Sequence, residues 1–137
     1  MNKNKNITMY SDGGARGNPG PAGIGAVLYD DERNVVVEIS EYIGETTNNQ
    51  AEYKAMLAGI EKAKELGVEN LVCHLDSELV VKQMRREYKV KNKDLAPLFI
   101  KAYNLSMSFK SIEFVHVRRE KNKAADALAN LAMDKGV

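Results

Sequence analysis

Around residue 49 the apolar side chains switch from a strand-like spacing to a helical one, and this switch limits the fold more than any other feature. Before it stand three short strand-like runs, "NITMYS", "IGAVLYD" and "NVVVEISEYIG". The last two are separated by the polar turn at residues 30–33, so an antiparallel meander is expected. After it, Tyr53, Met56, Leu57, Ile60 and Ala63 form a helical stripe from Asn49 to Leu66, stopped by Gly67. "NLVCHLD" reads as a buried strand and "SELVVKQMRREY" as a helix. Pro97 suits the first turn of another helix running to about Tyr103. "SIEFVHV" is a fifth strand, and a final helix starts near Asn122, a plausible N-cap, and reaches Met133. The order is βββαβααβα. Strands joined through helices pair in parallel, so the expected class is α/β. The sheet should be mixed and five-stranded, three strands antiparallel and the later ones parallel, with helices on both faces.

The 137 residues suit one domain over 7–137, preceded by a disordered tail at 1–6. No run approaches the ~20 apolar residues of a membrane span. "MNKNKN" lacks the apolar segment of a secretory signal. Cys73 is the single cysteine, which excludes an internal disulfide or a thiolate zinc cluster. A cytoplasmic protein is expected, with Cys73 as a small core filler. Net charge is only +1, yet the charges are clustered. Lys82, Arg85, Arg86, Lys89, Lys91 and Lys93 surround Glu87, and Arg118, Arg119, Lys121 and Lys123 surround Glu120. Two basic clusters in a small chain favour a polyanionic partner.

The stretch "YSDGGARGNPGPAG", residues 10–23, joins an acid to a permissive backbone. One reading is a turn. The other is close approach of bare main chain to something bulky and anionic, with Asp12 at the rim. Three further acids occupy comparable places: Glu52 in the first turn of the long helix, Asp76 closing the fourth strand, and Asp126 in the first turn of the last helix. Each has a structural role open to it. Asp12 suits a turn, Asp76 a cap, and Asp126 the helix dipole, while "NQAE" offers Glu52 a capping box. In open α/β sheets, however, strand C-termini and helix N-termini gather along one edge. Four carboxylates meeting there would repel unless protonated or bridged by cations. Oxygen ligands without thiolates suit Mg²⁺ or Mn²⁺, and two such ions about 4 Å apart are a common device for attack on a phosphodiester.

These blocks carry a resemblance. "YSDGGARGNPGPAGIGAVL", "TTNNQAEYKAMLAGIE", "LDSELVVKQM" and "RREKNKAADALANLA" resemble, in order, the four signature blocks of the ribonuclease HI family, over about Ile7 to Met133. The resemblance implies a ribonuclease H-like fold in which Asp12, Glu52, Asp76 and Asp126 are catalytic and bind two Mg²⁺, with Mn²⁺ as substitute. It implies an endonuclease that cuts the RNA strand of RNA–DNA hybrids, leaving 5′-phosphate and 3′-hydroxyl ends. Gly14, Arg16, Gly17 and Asn18 match the loop that in the family lies against the hybrid's minor groove. Asn48, Asn49 and Glu78 match strand contacts, and Thr46 offers a phosphate contact. Many relatives carry a basic protrusion with tryptophans; here "RREYKVKNKDLAPL" is short, which puts the grip on Lys82, Arg85 and the following lysines. A loop histidine is also absent from "VRREKNKAAD", leaving Arg118 or Lys121 to assist the leaving phosphate. His74 and His116 are expected to be structural. The short form looks like the archaeal-type branch, some of whose members also cleave RNA duplexes, and a monomer is expected.

Three rivals remain. A catalytically weak module that binds hybrid or double-stranded RNA fits the same fold, although all four acids are present. A nucleotide switch lacks G-x-x-x-x-G-K-[ST], and its glycine loop would lead into a strand rather than a helix. A transposase-like nuclease would bring added DNA-binding domains.

Overall fold

The computed structural model describes residues 4–136. All five strands join one sheet in the order β3-β2-β1-β4-β5: β1 (Asn6–Ala15), β2 (Gly20–Tyr29), β3 (Val35–Thr46), β4 (Asn70–Leu75) and β5 (Ser111–His116). Pairings β1–β2 and β2–β3 are antiparallel, while β1–β4 and β4–β5 are parallel, the mixed sheet expected from the sequence. Four helices complete the fold: α1 (Asn48–Glu65), α2 (Glu78–Met84), α3 (Ala96–Ser106) and α4 (Lys123–Lys135). Among the described residues no helix is long and apolar enough to cross a membrane.

The end of the first strand and the extent of the expected tail differ from the expectation. β1 continues through Gly13, Gly14 and Ala15, paired with Ile24, Gly23 and Ala22, so Asp12 lies within the strand and not at its end. The permissive stretch narrows to the turn between Ala15 and Gly20, where Gly17 takes a φ of 108° that favours glycine. At the other end, the Lys5 carbonyl accepts N–H groups of Glu69 and Asn70, and Asn6 pairs with Asn70. Asn6 therefore belongs to the sheet, and Lys5 is tied to its margin. Residues 1–3 of the expected tail lie outside the described residues.

Glycines let helices lie flush on both faces. Side chains directly opposite in an antiparallel pair share a face, so Asp12 with Gly25 and Gly14 with Gly23 point one way, Gly13 with Ile24 the other. A Cβ on Gly25 would sit 2.3 Å from the Ala125 carbonyl oxygen, and one on Gly23 2.6 Å from that of Ala129, so α4 rests against that face. On the opposite face a Gly13 Cβ would fall 2.1 Å from the Ala51 oxygen of α1. The main core forms where α1, α2 and α3 cover the sheet: Met9, Leu28, Tyr53, Met56, Ile60, Leu71, Leu75 and Val80 are fully enclosed. Burying each such aliphatic side chain stabilises the fold by about 1.5–3 kcal/mol. Cys73 is part of this core, and burial pushes its thiol well above the usual range.

Helix ends are set locally. Thr47 caps α1 in a reciprocal box with Gln50, not the box with Glu52 that the sequence also allowed. At the far end Val68 N–H returns to the Ala63 carbonyl past Gly67, whose φ is 76°, closing the helix. Asn122 occupies the N-cap of α4 but makes no capping bond; its Nδ2 donates to the Ser11 carbonyl at 2.9 Å.

Candidate active site

With Thr47 and Gln50 serving the cap, Glu52 is free to turn toward the sheet. Its Oε1 accepts the Gly13 N–H at 3.2 Å, a contact permitted because Gly13 lets α1 approach so closely. Asp76 leaves the end of β4, next to β1, just ahead of Ser77, which caps α2. Asp12, Glu52 and Asp76 thus bring carboxylate oxygens within 4.8 Å of one another. Asp126, in the first turn of α4, lines the same cavity but stands outside this close group of three. The tie from Asn122 to Ser11 fixes the start of α4 against the strand that carries Asp12. Sequence reading gave Asn122 only a capping role, and nothing in its spacing signals this cross-link.

The electrostatics are severe. Asp12 and Glu52 are each 8% exposed. Burial, then the hydrogen bond and charge of Glu52, then Asp76 and Asp126 hold the Asp12 carboxyl far above its ordinary range. Glu52 is raised chiefly by burial and further by Asp76, while Asp12, the Gly13 N–H and Arg119 pull it back. Glu52 Oε2 and Asp76 Oδ2 are buried without any hydrogen-bond partner. Two orphaned, enclosed carboxylate oxygens facing like charges need protons or cations. The donor set is all oxygen and anionic, which fits Mg²⁺ or Mn²⁺ and suits neither zinc nor copper.

The surrounding residues divide clearly. The cavity, about 410 Å³, is also lined by Gly14, Arg16, Asn48 and Arg119. Asn48 Oδ1 accepts the Ala15 N–H at 2.8 Å, and Asn18 Oδ1 accepts the Asn48 N–H at 3.0 Å. Both amides therefore turn their oxygens inward and keep their NH₂ donors. Arg16 pairs with Asp134 at 2.6 Å beside them. Gly17 and Asn49 lie exposed near this rim. Thr46 does not match its expected role: it is 8% exposed and its hydroxyl donates to Gln50, so it supports the α1 cap. Arg118 is likewise displaced. It precedes a 3-10 turn, Arg119–Lys121, and the next residue, Arg119, is the one that faces the carboxylates. Glu78, Lys82 and Arg85 sit apart on and after α2, where Glu78 pairs with Lys82 and Arg85 with Glu87 at the surface. His74 stacks on Tyr10 and its Nδ1 lies 3.2 Å from the Met9 carbonyl, away from the cavity, as expected of a structural residue.

A sheet of this order, with acids from two adjacent parallel strands and from two helices meeting at one cavity, defines the ribonuclease H-like class. A family model described as reverse transcriptase-like matches residues 10–132. The chain is 41% identical over 128 residues to ribonuclease HI of Halobacterium salinarum, covering 93% of this chain and 64% of that protein. It is 45% identical over 129 residues to a bifunctional protein of Mycobacterium tuberculosis, 93% of this chain but 35% of that one. The chain thus spans about a third of the first curated relatives it matches. Among solved structures, the RNase H1 of H. salinarum superposes with a TM-score of 0.92 at 40% identity, covering 94% of this chain and 98% of that one. An RNase H1 solved in complex with RNA/DNA hybrid gives 0.90 at 47% identity, covering 95% and 98%. The chain belongs to the ribonuclease H family. Within that family it is similar to the archaeal type 1 enzymes.

Proposed function

We propose that this chain is an endoribonuclease that hydrolyses the RNA strand of RNA–DNA hybrids, with two divalent cations held by Asp12, Glu52, Asp76 and Asp126. The observation that carries the reading is the meeting of Asp12, Glu52 and Asp76, with Asp126 lining the same cavity, around buried oxygens that lack partners among the described residues. The similar RNase H1 crystallised with RNA/DNA hybrid supports the substrate class. When bound, the cations would neutralise a phosphodiester and acidify water, Mg²⁺ serving and Mn²⁺ substituting.

The chain's own groups do the rest. Asp12 and Glu52 lie between α4 and α1, which pack closely on Gly23, Gly25 and Gly13, so the two carboxylates are held near one another before any ligand arrives. Asn48 and Asn18 present NH₂ donors along the bare backbone from Gly14 to Gly17, suited to 2′-hydroxyls in a shallow minor groove. Arg119 brings a cation to the cavity wall, where charge develops on a departing oxygen. The lysines at 89, 91 and 93 lie exposed after α2 and would follow phosphates of the complementary strand. The products are a 5′-phosphate and a 3′-hydroxyl, and a monomer in the cytoplasm suffices for the reaction.

The test offers matched hybrid, RNA duplex, DNA duplex and single-stranded RNA, each with Mg²⁺ and with Mn²⁺, and maps the ends. Cation-dependent cuts within the RNA of the hybrid, with 5′-phosphate ends, are expected. Cyclic phosphate ends, or cleavage unaffected by EDTA, would overturn the proposal.

A further inference from the structure

We propose that a second cavity, on the open part of the face that α4 only partly covers, is a binding site for a 5′-nucleotide, either free or at the end of a strand. The cavity measures about 240 Å³ and is lined by Tyr10, Tyr29, Arg33, Lys121, Asn122 and Ala124. Tyr10 and Tyr29 come from the sheet, Arg33 from the β2–β3 turn, Lys121 and Asn122 from the turn that leads into α4, and Ala124 from the first turn of α4 itself. The 3-10 turn is the partition: Arg119 lines the carboxylate cavity and Lys121 lines this one.

Three features point to a ligand with both a ring and a phosphate. The first is a preformed aromatic wall. Tyr10 is stacked on His74, centroids 4.4 Å apart and planes 11° apart, and meets Tyr29 edge-on at 5.9 Å. Rings held this way lose little freedom on binding, and base–aromatic stacking contributes to affinity whatever the base. The second is a pair of cations facing the cavity from opposite elements. Neither Arg33 nor Lys121 forms an ion pair among the described residues. Arg33 holds a φ of 66° and its N–H is bound to the Asp30 carbonyl, so its backbone is fixed. Asp30 and Asp31 lie beside Arg33 in an adjoining cavity, where Asp30 accepts the Glu32 and Asn34 N–H groups and Asp31 accepts from Asn6, and among the described residues neither forms an ion pair with it. The third is a fixed wall: Asn122, 1% exposed, ties the residues beside Lys121 to β1 through its bond to the Ser11 carbonyl.

A simple anion would not need the aromatic wall, and an uncharged ring would leave the two cations without use. The volume falls just under the roughly 300–1,000 Å³ of drug-sized sites, which suits one nucleotide and excludes a duplex. The inference stands apart from the cleavage reading, because none of these residues holds the cations.

The probe is adenosine 5′-monophosphate, titrated into the ¹⁵N-labelled chain in EDTA so that no cation can recruit the phosphate to the carboxylates. Inorganic phosphate, adenosine and a 5′-phosphorylated dinucleotide form the other arms. The expected result is saturable shifts at Tyr29, Arg33, Lys121, Asn122 and Ala124 with a dissociation constant of about 1 mM or lower for at least one 5′-phosphorylated ligand. Phosphate and adenosine should bind about tenfold more weakly or worse. Arg33→Gln should weaken the nucleotide about tenfold without altering the melting temperature, and Arg33→Lys should recover part of the loss. Shifts confined to the surroundings of Asp12 and Arg16, phosphate binding as tightly as nucleotide, or an indifferent Arg33→Gln would each overturn the site.

Discussion

Replacing Asp12 with Asn should make the cation-free protein more stable at pH 7 while abolishing its response to divalent ions. The sign follows from the direction of the shift. Asp12 is pushed up from 3.8 to about 10 by burial and by Glu52, so above pH 3.8 the unfolded chain releases a proton that the folded chain keeps. The folded state then binds more protons, and stability falls as pH rises toward the raised value. Between 3.8 and 7 this withholds about 4 kcal/mol from the parent protein. Water reaching the cavity and relaxation of the carboxylates reduce that figure, so a gain of about 2–4 kcal/mol is expected for Asp12→Asn. The Asn amide can still donate to Glu52, as the protonated acid does. For a chain of this size the gain corresponds to a rise in melting temperature of roughly 5–15 °C. Thermal melts in EDTA at pH 7 and at pH 4 measure it: the difference should be large at the first and nearly gone at the second. Added Mg²⁺ should stabilise the parent by mass action and leave the variant unmoved. A variant no more stable than its parent at pH 7, or equally improved at pH 4, would refute the reasoning.

The two adjacent glycines should behave differently. A Cβ at Gly13 meets backbone of α1 at 2.1 Å, so Gly13→Ala should cost about 3 kcal/mol or more and, by moving Glu52, about 100-fold in cleavage. At Gly14 the nearest atom is 3.7 Å away, so Gly14→Ala should melt like the parent and lose mainly hybrid affinity, seen as a raised KM. Arg119→Ala should lower kcat about 100-fold with KM and melting temperature little changed, whereas Arg118→Ala should do neither. Changing Lys89, Lys91 and Lys93 to Ala should weaken hybrid binding for every sequence and reduce the salt slope by about one for each phosphate left without its lysine.

Much of this was legible in the sequence because it rests on local rules. The period switch at residue 49, the stop at Gly67 and Pro97 at a helix start depend on near neighbours, whereas the strand order, in which β4 returns past β3 and β2 to pair with β1, does not. Three of the candidate acids were legible for a similar reason: Glu52, Asp76 and Asp126 stand at helix starts or just past a strand end, which gather along one edge, whereas Asp12 lies within β1. What escaped depends on contacts across the fold. β1 runs on through Gly13 and Gly14 because β2 pairs with it residue by residue, overriding a dipeptide that usually turns. The cap of α1 went to Thr47 and Gln50, which released Glu52 for the site and drew Thr46 into the cap. Arg119 rather than Arg118 faces the acids because a 3-10 turn sets the direction, and a basic run does not reveal which member points inward. Asn122 looked like a cap and is a cross-link to β1, a role visible only once the two segments meet.

The most direct measurement is anomalous diffraction from crystals grown with the hybrid and Mn²⁺, using Asp76→Asn to slow turnover beside the parent chain. Two peaks bordered by the side chains at 12, 52, 76 and 126 in the parent, with at least one missing in the variant, are the predicted result. Manganese found only at surface acids, with the carboxylate cavity empty beside a bound hybrid, would contradict it.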